Sequence, residues 1–441
     1  MPANFISVIS LGCPKNQVDS ENLLGALTDR DVVLCSDPAD ASVIIVNTCG
    51  FIRPAREEGT EVLDECIALR RRGPCRLLAV VGCWVVREEA DLRKRFGDVD
   101  VWLGLLTPDR IAWLIDRVLM DADAGPPPSG GCDTLTIEAD RVRVSPPHWA
   151  YLKIADGCDN RCTYCTIPEI RGRLRSKPHA DVIDETKRLA SEGVREINLV
   201  AQDVTAYGHD LDGKPHLSAL LEDMAEVDGI EWIRLLYAHP AHFTDDLAWL
   251  IAAEPKLCNY VDLPVQHIAD RVLAAMGRKV TRADIEALIG KLRERIDDVV
   301  LRTTVLVGFP GETDAEFSEL CDFLRSTRFE RLGCFPYWPE TGTPAAALPG
   351  RVPKVERLRR ADEVMRLQQQ IAFDLAAGWV GRDVPVIVDA PGEAHGTFIG
   401  RTYADAPDVD GVIVLTGDVA PGLITRARVT GTSGYDLIGI V

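Results

Sequence analysis

The chain has 441 residues, 46% of them hydrophobic, and its 49 basic and 68 acidic side chains leave a net charge of −19. That length exceeds one core, so two or three domains are expected; no apolar run reaches the roughly 20 residues of a membrane span, and residues 1–5 lack the basic and apolar regions of a secretory signal. The acid surplus opposes unassisted capture of a phosphate backbone and suits a basic partner, while thirteen cysteines without a signal favour metal or catalytic use in a reducing, cytoplasmic setting over a disulfide framework.

Residues 1–120 alternate strand and helix patterns. Apolar runs Phe5–Leu11, Val43–Val46 and Leu77–Val81 read as buried parallel strands, with helices predicted over Val18–Arg30 and Pro54–Arg72. A cysteine follows each strand: Cys13, Cys49 and Cys83. The carboxyl ends of an open parallel sheet share one edge where ligand sites form, so three thiolates are expected to converge there; the alternative is three thiols buried separately. Gly12, Gly50 and Gly82 leave room for a cluster. Cys35, Cys66, Cys75, Cys132, Cys258, Cys321 and Cys334 show no such pattern and read as packing residues, and the Gly/Pro-rich stretch 125–131 marks a domain boundary.

From 144 to 375 the alternation is more regular. Candidate strands are Tyr151–Ala155, Glu196–Ala201, Trp232–Tyr237, Tyr260–Val265, Leu301–Val307 and Leu332–Tyr337. Thr281 with Asp284 predicts a capping box, and Thr244 a helix cap. Six β/α repeats predict an incomplete barrel with its chemistry on loops at the carboxyl ends of the strands.

After the first of these strands comes Cys158-Asp-Asn-Arg-Cys162-Thr-Tyr-Cys165. Three thiolates so spaced can hold three irons of a 4Fe–4S cluster, leaving one iron open to a small chelating molecule; an electron-transfer ferredoxin or a zinc site would want a fourth ligand. Incidental buried thiols have no reason to share this spacing at a strand end. The later strand ends offer Gln202 and Asp203, Gln266 and His267, and Gly308-Phe-Pro-Gly-Glu312. Of these, His267 is as readily a satisfied structural histidine, and Glu312 a helix N-terminal carboxylate. Arg171, Arg173, Arg175 and Lys177 follow the cysteine loop and can reach a substrate or cofactor carboxylate, whereas Arg70–Arg72 read as a solvated helix end.

From about residue 378, apolar stretches Val384–Val388, Gly411–Leu415, Ile424–Val429 and Leu437–Val441 are separated by Gly, Pro and Asp turns, predicting a small antiparallel barrel. Residues 376–441 hold four arginines and eight acids, a balance of 4 − 8 = −4 that suits a basic protein better than RNA.

The CxxxCxxC loop resembles the signature of the radical S-adenosylmethionine superfamily. With the dispersed cysteines, the chain resembles the methylthiotransferases over essentially its whole length. The resemblance implies an α/β protein with an N-terminal Rossmann-like domain (1–120), an incomplete (β/α)6 radical barrel (144–375) and a C-terminal TRAM barrel (378–441). It implies two 4Fe–4S clusters and S-adenosylmethionine. Cys158, Cys162 and Cys165 would hold the cluster whose open iron chelates S-adenosylmethionine and yields a 5′-deoxyadenosyl radical; Cys13, Cys49 and Cys83 would hold the cluster that presents sulfur. Tyr164 would pack on the bound cofactor, with Gln202, Gln266, Gly308 and Glu312 completing its pocket. Ser10–Asn16, Asn47–Ile52, Gly157–Cys162, Gln202–Gly208 and Gly400–Gly411 resemble the branch that modifies the β-carbon of an aspartate in the twelfth small-subunit ribosomal protein, near the decoding centre, rather than the branch that modifies a tRNA adenosine. An electron donor such as a flavodoxin or ferredoxin and a sulfur donor are implied as partners. The rival readings are the same chemistry on tRNA, a non-catalytic iron–sulfur or RNA-binding protein, and a radical enzyme that only methylates.

Overall fold

The computed structural model describes residues 4–28, 30, 32–120, 125–128, 141–214 and 216–441, so Cys132 lies outside the described residues, as do 129–131 of the Gly/Pro-rich stretch. The chain divides into two compact units: residues 1–144, 153–160 and 165–181 form the smaller, and 145–152, 161–164 and 182–441 the larger. No described helix is long and apolar enough to cross a membrane.

In the smaller unit, β1 (Asn4–Ser10), β2 (Val32–Leu34), β3 (Val43–Thr48), β4 (Leu77–Gly82) and β5 (Val101–Leu103) form a parallel sheet in the order β2-β1-β3-β4-β5. Because side chains alternate along a strand, Val43 and Ile45 enter one core with Leu23, Leu27, Leu114 and Val118, while Ile44 and Val46 enter another with Leu63, Trp84, Leu92 and Phe96. Helices Pro14–Thr28 and Pro108–Met120 thus cover one face, and Arg53–Arg72 and Cys83–Arg95 the other. This is the doubly wound arrangement expected, with the strand order reversing between β1 and β3. The first helix starts four residues earlier than the apolar pattern indicates, with Pro14 at its first position. Strands β2 and β5, three residues each, are too short for periodicity to reveal them.

In the larger unit, β6 (Trp149–Lys153) leads the main sheet. Two-residue strands β7 (Ala155–Asp156) and β8 (Arg175–Ser176) then pair antiparallel in the smaller unit. The main sheet continues with β9 (Glu196–Val200), β10 (Trp232–Leu235), β11 (Leu257–Asp262), β12 (Val300–Val307) and β13 (Arg331–Pro336), each beside its predecessor. The pairs from β9 to β13 are parallel, and the six strands do not close, as an incomplete barrel requires. The capping box at Thr281 and the cap at Thr244 both form.

The 24-residue helix Lys354–Ala377 leads to a closed barrel of β14 (Asp383–Pro391), β15 (Thr397–Thr402), β16 (Ile413–Thr416), β17 (Ile424–Ser433) and β18 (Asp436–Ile440). One pair, β16 with β18, is parallel, which corrects the expectation of a purely antiparallel barrel. A closed ring with an odd number of strands cannot alternate throughout. Strand β15 escapes the sequence pattern because Gly400 interrupts it; a Cβ there would lie 2.5 Å from the Ile387 carbonyl oxygen.

The acidic surplus of this region is largely spent inside the unit. Asp389 pairs with Arg401 and His148, Asp405 with Arg331, and Asp410 with Arg302 and the Tyr260 hydroxyl. Arg401 also joins Glu196, which Arg234 shares at the start of the parallel strands, so the segment 401–410 docks on their amino ends. Burial alone would raise the Glu196 pKa, but Arg401 and Arg234 hold it below the ordinary value. The exposed balance is therefore smaller in magnitude than −4: the exposed acids are Asp383, Glu393, Asp408 and Asp418 and the exposed bases Arg426 and Arg428, with Asp383 paired with Arg428.

Candidate active site

Register brings the dispersed cysteines to one edge. Ser10 of β1 lies opposite Asn47 of β3, and Thr48 of β3 opposite Gly82 of β4, so Cys49 and Cys83 leave adjacent strands at the same level. Cys13 reaches them through Gly12, where φ is +95° and a Cβ would lie 2.6 Å from the Cys49 Cβ and 3.1 Å from its Sγ. Gly82, at φ +98°, leaves no room for a Cβ, which would lie 2.3 Å from the Asn47 side-chain oxygen. The site is at the reversal of strand order, where doubly wound sheets bind ligands.

The three thiols sense one another. Burial, reinforced by Cys13 and Cys83, pushes the Cys49 thiol up to about 12. Burial also raises Cys83, opposed chiefly by Arg171. Loading iron must therefore expel protons from buried thiols. Two helices help, since Cys83 opens Cys83–Arg95 and the Cys13 carbonyl accepts the first bonds of Pro14–Thr28, placing both residues at helix amino ends that favour anions. Asn16 locks the edge: its amide donates to the Leu11 and Thr48 carbonyls at 3.0 and 3.1 Å. The set suits a cluster with three thiolate ligands.

Around the contiguous motif, β7 and β8 close the base of the loop. The Cys158 N–H donates to the Gly172 carbonyl at 3.1 Å, and a Cβ on Gly157 (φ +73°) would strike the Arg173 carbonyl oxygen. Residues 161–164 belong to the larger unit, where Thr163 is fixed by bonds to Met276 and Ala275 and Tyr164 packs against the apolar cluster that contains Val272, Met276, Phe309 and Tyr337. All three cysteines are partly exposed, as metal-binding thiols on a loop would be.

Arg171, expected to reach a substrate or cofactor carboxylate, is committed to carboxylates of the chain itself. It is turned inward, its side chain 1% exposed, and bonds Asp156 and Asp19. Arg173 stays outside on Asp159, while Arg70 and Arg71 pair with Asp100 and Asp98 at a helix end.

At the strand ends of the larger unit, both amide atoms of Gln202 are buried without a hydrogen-bond partner. So are those of Asn198, two turns of the pleat earlier on β9, which the sequence reading missed because it looked only beyond strand ends. An unmet buried polar group costs about 1–3 kcal/mol, so such a pair points to a polar ligand. Gln266 holds a left-handed backbone (φ +68°), with its N–H on the Thr304 carbonyl and its own carbonyl accepting from Leu306. Gly308 is also left-handed (φ +73°). The Glu312 carboxylate is committed to Arg360 at 2.7 Å and the Phe309 N–H at 3.0 Å, bracing the Gly308–Gly311 turn. His267 is a fully buried neutral ring, its Nδ1 accepting from Ala269 and its pKa driven down to about 4 by burial. Asp203 is buried and bonds His242 at 2.7 Å; His239 lies near both, but its Nδ1 already caps the turn at Ala241. Cys66 and Cys75 pack in the smaller unit's core, while Cys258 and Cys321 are also buried.

A model of the radical SAM superfamily matches residues 152–324, one of the uncharacterized protein family UPF0004 matches 6–104, and one of the TRAM domain matches 380–441. The chain is similar to the ribosomal protein uS12 methylthiotransferase RimO of Citrifermentans bemidjiense, with 42% identity over 440 residues, 98% of this chain and 97% of that one. It is similar also to RimO of Anaeromyxobacter sp. (strain K), with 44% identity over 445 residues, 100% of this chain and 93% of that one. Among solved structures, the radical S-adenosylmethionine methyltransferase TsrM from Kitasatospora setae shares the fold, with a TM-score of 0.56 and 17% identity over 88% of this chain and 78% of that one.

Proposed function

The chain belongs to the ribosomal protein uS12 methylthiotransferase family, RimO, and we propose on that premise that it places a methylthio group on the β-carbon of an aspartate in uS12. As a radical S-adenosylmethionine transferase it uses that cofactor and two 4Fe–4S clusters. Residues 1–120, 144–375 and 378–441 are the sulfur-presenting, radical-generating and TRAM domains of this reading. The observation that carries it is the convergence of Cys13, Cys49 and Cys83 at one sheet edge, a second ligand set for which an enzyme that only methylates has no use.

Cys158, Cys162 and Cys165 hold the first cluster, and Cys13, Cys49 and Cys83 the second. When bound, these groups with S-adenosylmethionine supply a radical able to remove an unactivated hydrogen and the sulfur that is transferred. The protein's own residues bind and orient. Tyr164, fixed on its apolar cluster, supports the cofactor, and Gln202 supplies an unspent donor and acceptor to it. Gln266 and Gly308 bring backbone close, and Glu312 steadies the Gly308 turn. A flavodoxin or ferredoxin supplies electrons, and a separate donor supplies sulfur.

The test is anaerobic reconstitution with iron, sulfide, reductant and S-adenosylmethionine, followed by mass spectrometry of uS12 and of tRNA. A methylthio increment on the uS12 aspartate is expected. An increment on tRNA alone would overturn the substrate, and a methyl increment without sulfur would overturn the role of the second cysteine set.

A further inference from the structure

Arg171 follows Cys165 by six residues, yet its guanidinium lies buried beside the other cysteine set. Its Nη1 donates to both oxygens of Asp156, at 3.0 and 2.9 Å, and Asp156 precedes Cys158 by two residues. Its Nη2 donates to the Asn16 side-chain oxygen at 2.6 Å and to Asp19 at 3.1 Å, and lies 3.5 Å from the Cys83 Sγ, within reach of an N–H···S bond. Lys153 pairs with the same two aspartates. Two buried cations therefore meet two buried carboxylates, and an anionic sulfur on Cys83 would be met by sharing an Nη2 hydrogen with Asn16 or Asp19 in a three-centre bond and by the helix that Cys83 opens. A buried arginine spent on carboxylates alone would have no need to approach a thiol. Asn16, which Arg171 grips, also ties together the strand ends that carry Cys13 and Cys49.

We propose that Arg171 is a positioning residue that sets the reduction potential of the cluster on Cys13, Cys49 and Cys83 by hydrogen bonding the Cys83 sulfur, and that its arm to Asp156 ties that setting to the loop of the radical cluster. This rests on the assignment of a cluster to those three cysteines. A cationic N–H···S donor stabilises the reduced, more negative cluster more than the oxidised one, so it raises the potential. Arginine's planar guanidinium also presents five donors in a fixed fork, a geometry that the compact ammonium of lysine does not reproduce.

The experiment uses the full chain with Cys158, Cys162 and Cys165 replaced by alanine, so that only the N-terminal cluster loads. Iron content and an anaerobic redox titration followed by electron paramagnetic resonance are compared among this background, Arg171→Lys within it, and the charge-balanced pair Arg171→Gln with Asp156→Asn. The potential is expected to fall in the pair and to fall less in Arg171→Lys; if the pair fails to fold, Arg171→Lys carries the test by the same downward shift. An unshifted potential with full iron would overturn the inference alone. A background protein that takes up no iron would overturn the cluster assignment and the inference with it.

Discussion

The two cysteine sets are built by opposite means. Cys158, Cys162 and Cys165 sit within eight consecutive residues, so local chain geometry alone keeps them near one another. Cys13, Cys49 and Cys83 are spread over seventy residues and meet only because β1, β3 and β4 end in register at a reversal of strand order. The first kind of site tolerates change in the fold around it; the second is only as good as the packing that aligns its strands. Glycines are tight points in both sites: a Cβ on Gly82 would lie 2.3 Å from the Asn47 side-chain oxygen and one on Gly157 2.0 Å from the Arg173 carbonyl oxygen, whereas one on Gly172 meets no atom within 4 Å.

The largest effect should separate the sets by role. Cys158→Ala is expected to abolish release of 5′-deoxyadenosine and formation of product together, while Cys13→Ala abolishes product alone; equal loss of deoxyadenosine in both, measured by chromatography of quenched reactions, would erase the distinction. Next comes Gly82→Ala, which adds a strained left-handed backbone and a clash and should cost about 4 kcal/mol in denaturant unfolding, against about 1 kcal/mol for Gly172→Ala, where only the backbone term applies. Equal costs would mean that the clash at Gly82 is relieved by small shifts of Asn47 and Thr48.

The strand ends of the larger unit add a pH signature that the thiol edge does not explain. His267 resists protonation until about pH 4, whereas an unfolded imidazole accepts a proton near 6.5. Because its folded pKa is depressed, stability is held above pH 6.5 and lost as pH falls toward 4, by up to about 3 kcal/mol. His267→Gln should flatten that slope in thermal melts across the same range; an unchanged slope would place the acid sensitivity elsewhere. Smallest is Gln202→Ala, expected to raise the KM for S-adenosylmethionine roughly tenfold at unchanged iron content, the worth of about one buried hydrogen bond. An unchanged KM would remove Gln202 from the cofactor's surroundings.

What the sequence revealed follows the same division. The contiguous motif, the long parallel strands and the caps at Thr244 and Thr281 are local patterns, and each reads directly from residue spacing. The strand-end cysteines could be suspected from Gly12-Cys13, Cys49-Gly50 and Gly82-Cys83, because register follows from long apolar runs. Partnerships across the fold were not legible. Arg171 reads as a cation for a substrate or cofactor carboxylate, yet Asp156 and Asp19 draw it inside. Asp389, Asp405 and Asp410 looked like a docking charge, yet arginines of the same unit consume them. Asn198 sits mid-strand among apolar neighbours and carries no motif; only its unmet hydrogen bonds single it out.

The most direct test of the central claim, two separate cluster sites on one chain, is the iron and acid-labile sulfide content of anaerobically reconstituted protein. Two clusters' worth of iron is expected in the unaltered chain and half of that in both Cys13→Ala and Cys158→Ala, with the remaining cluster still visible by electron paramagnetic resonance on reduction. Full iron in Cys13→Ala, or loss of all iron from either variant, would contradict it.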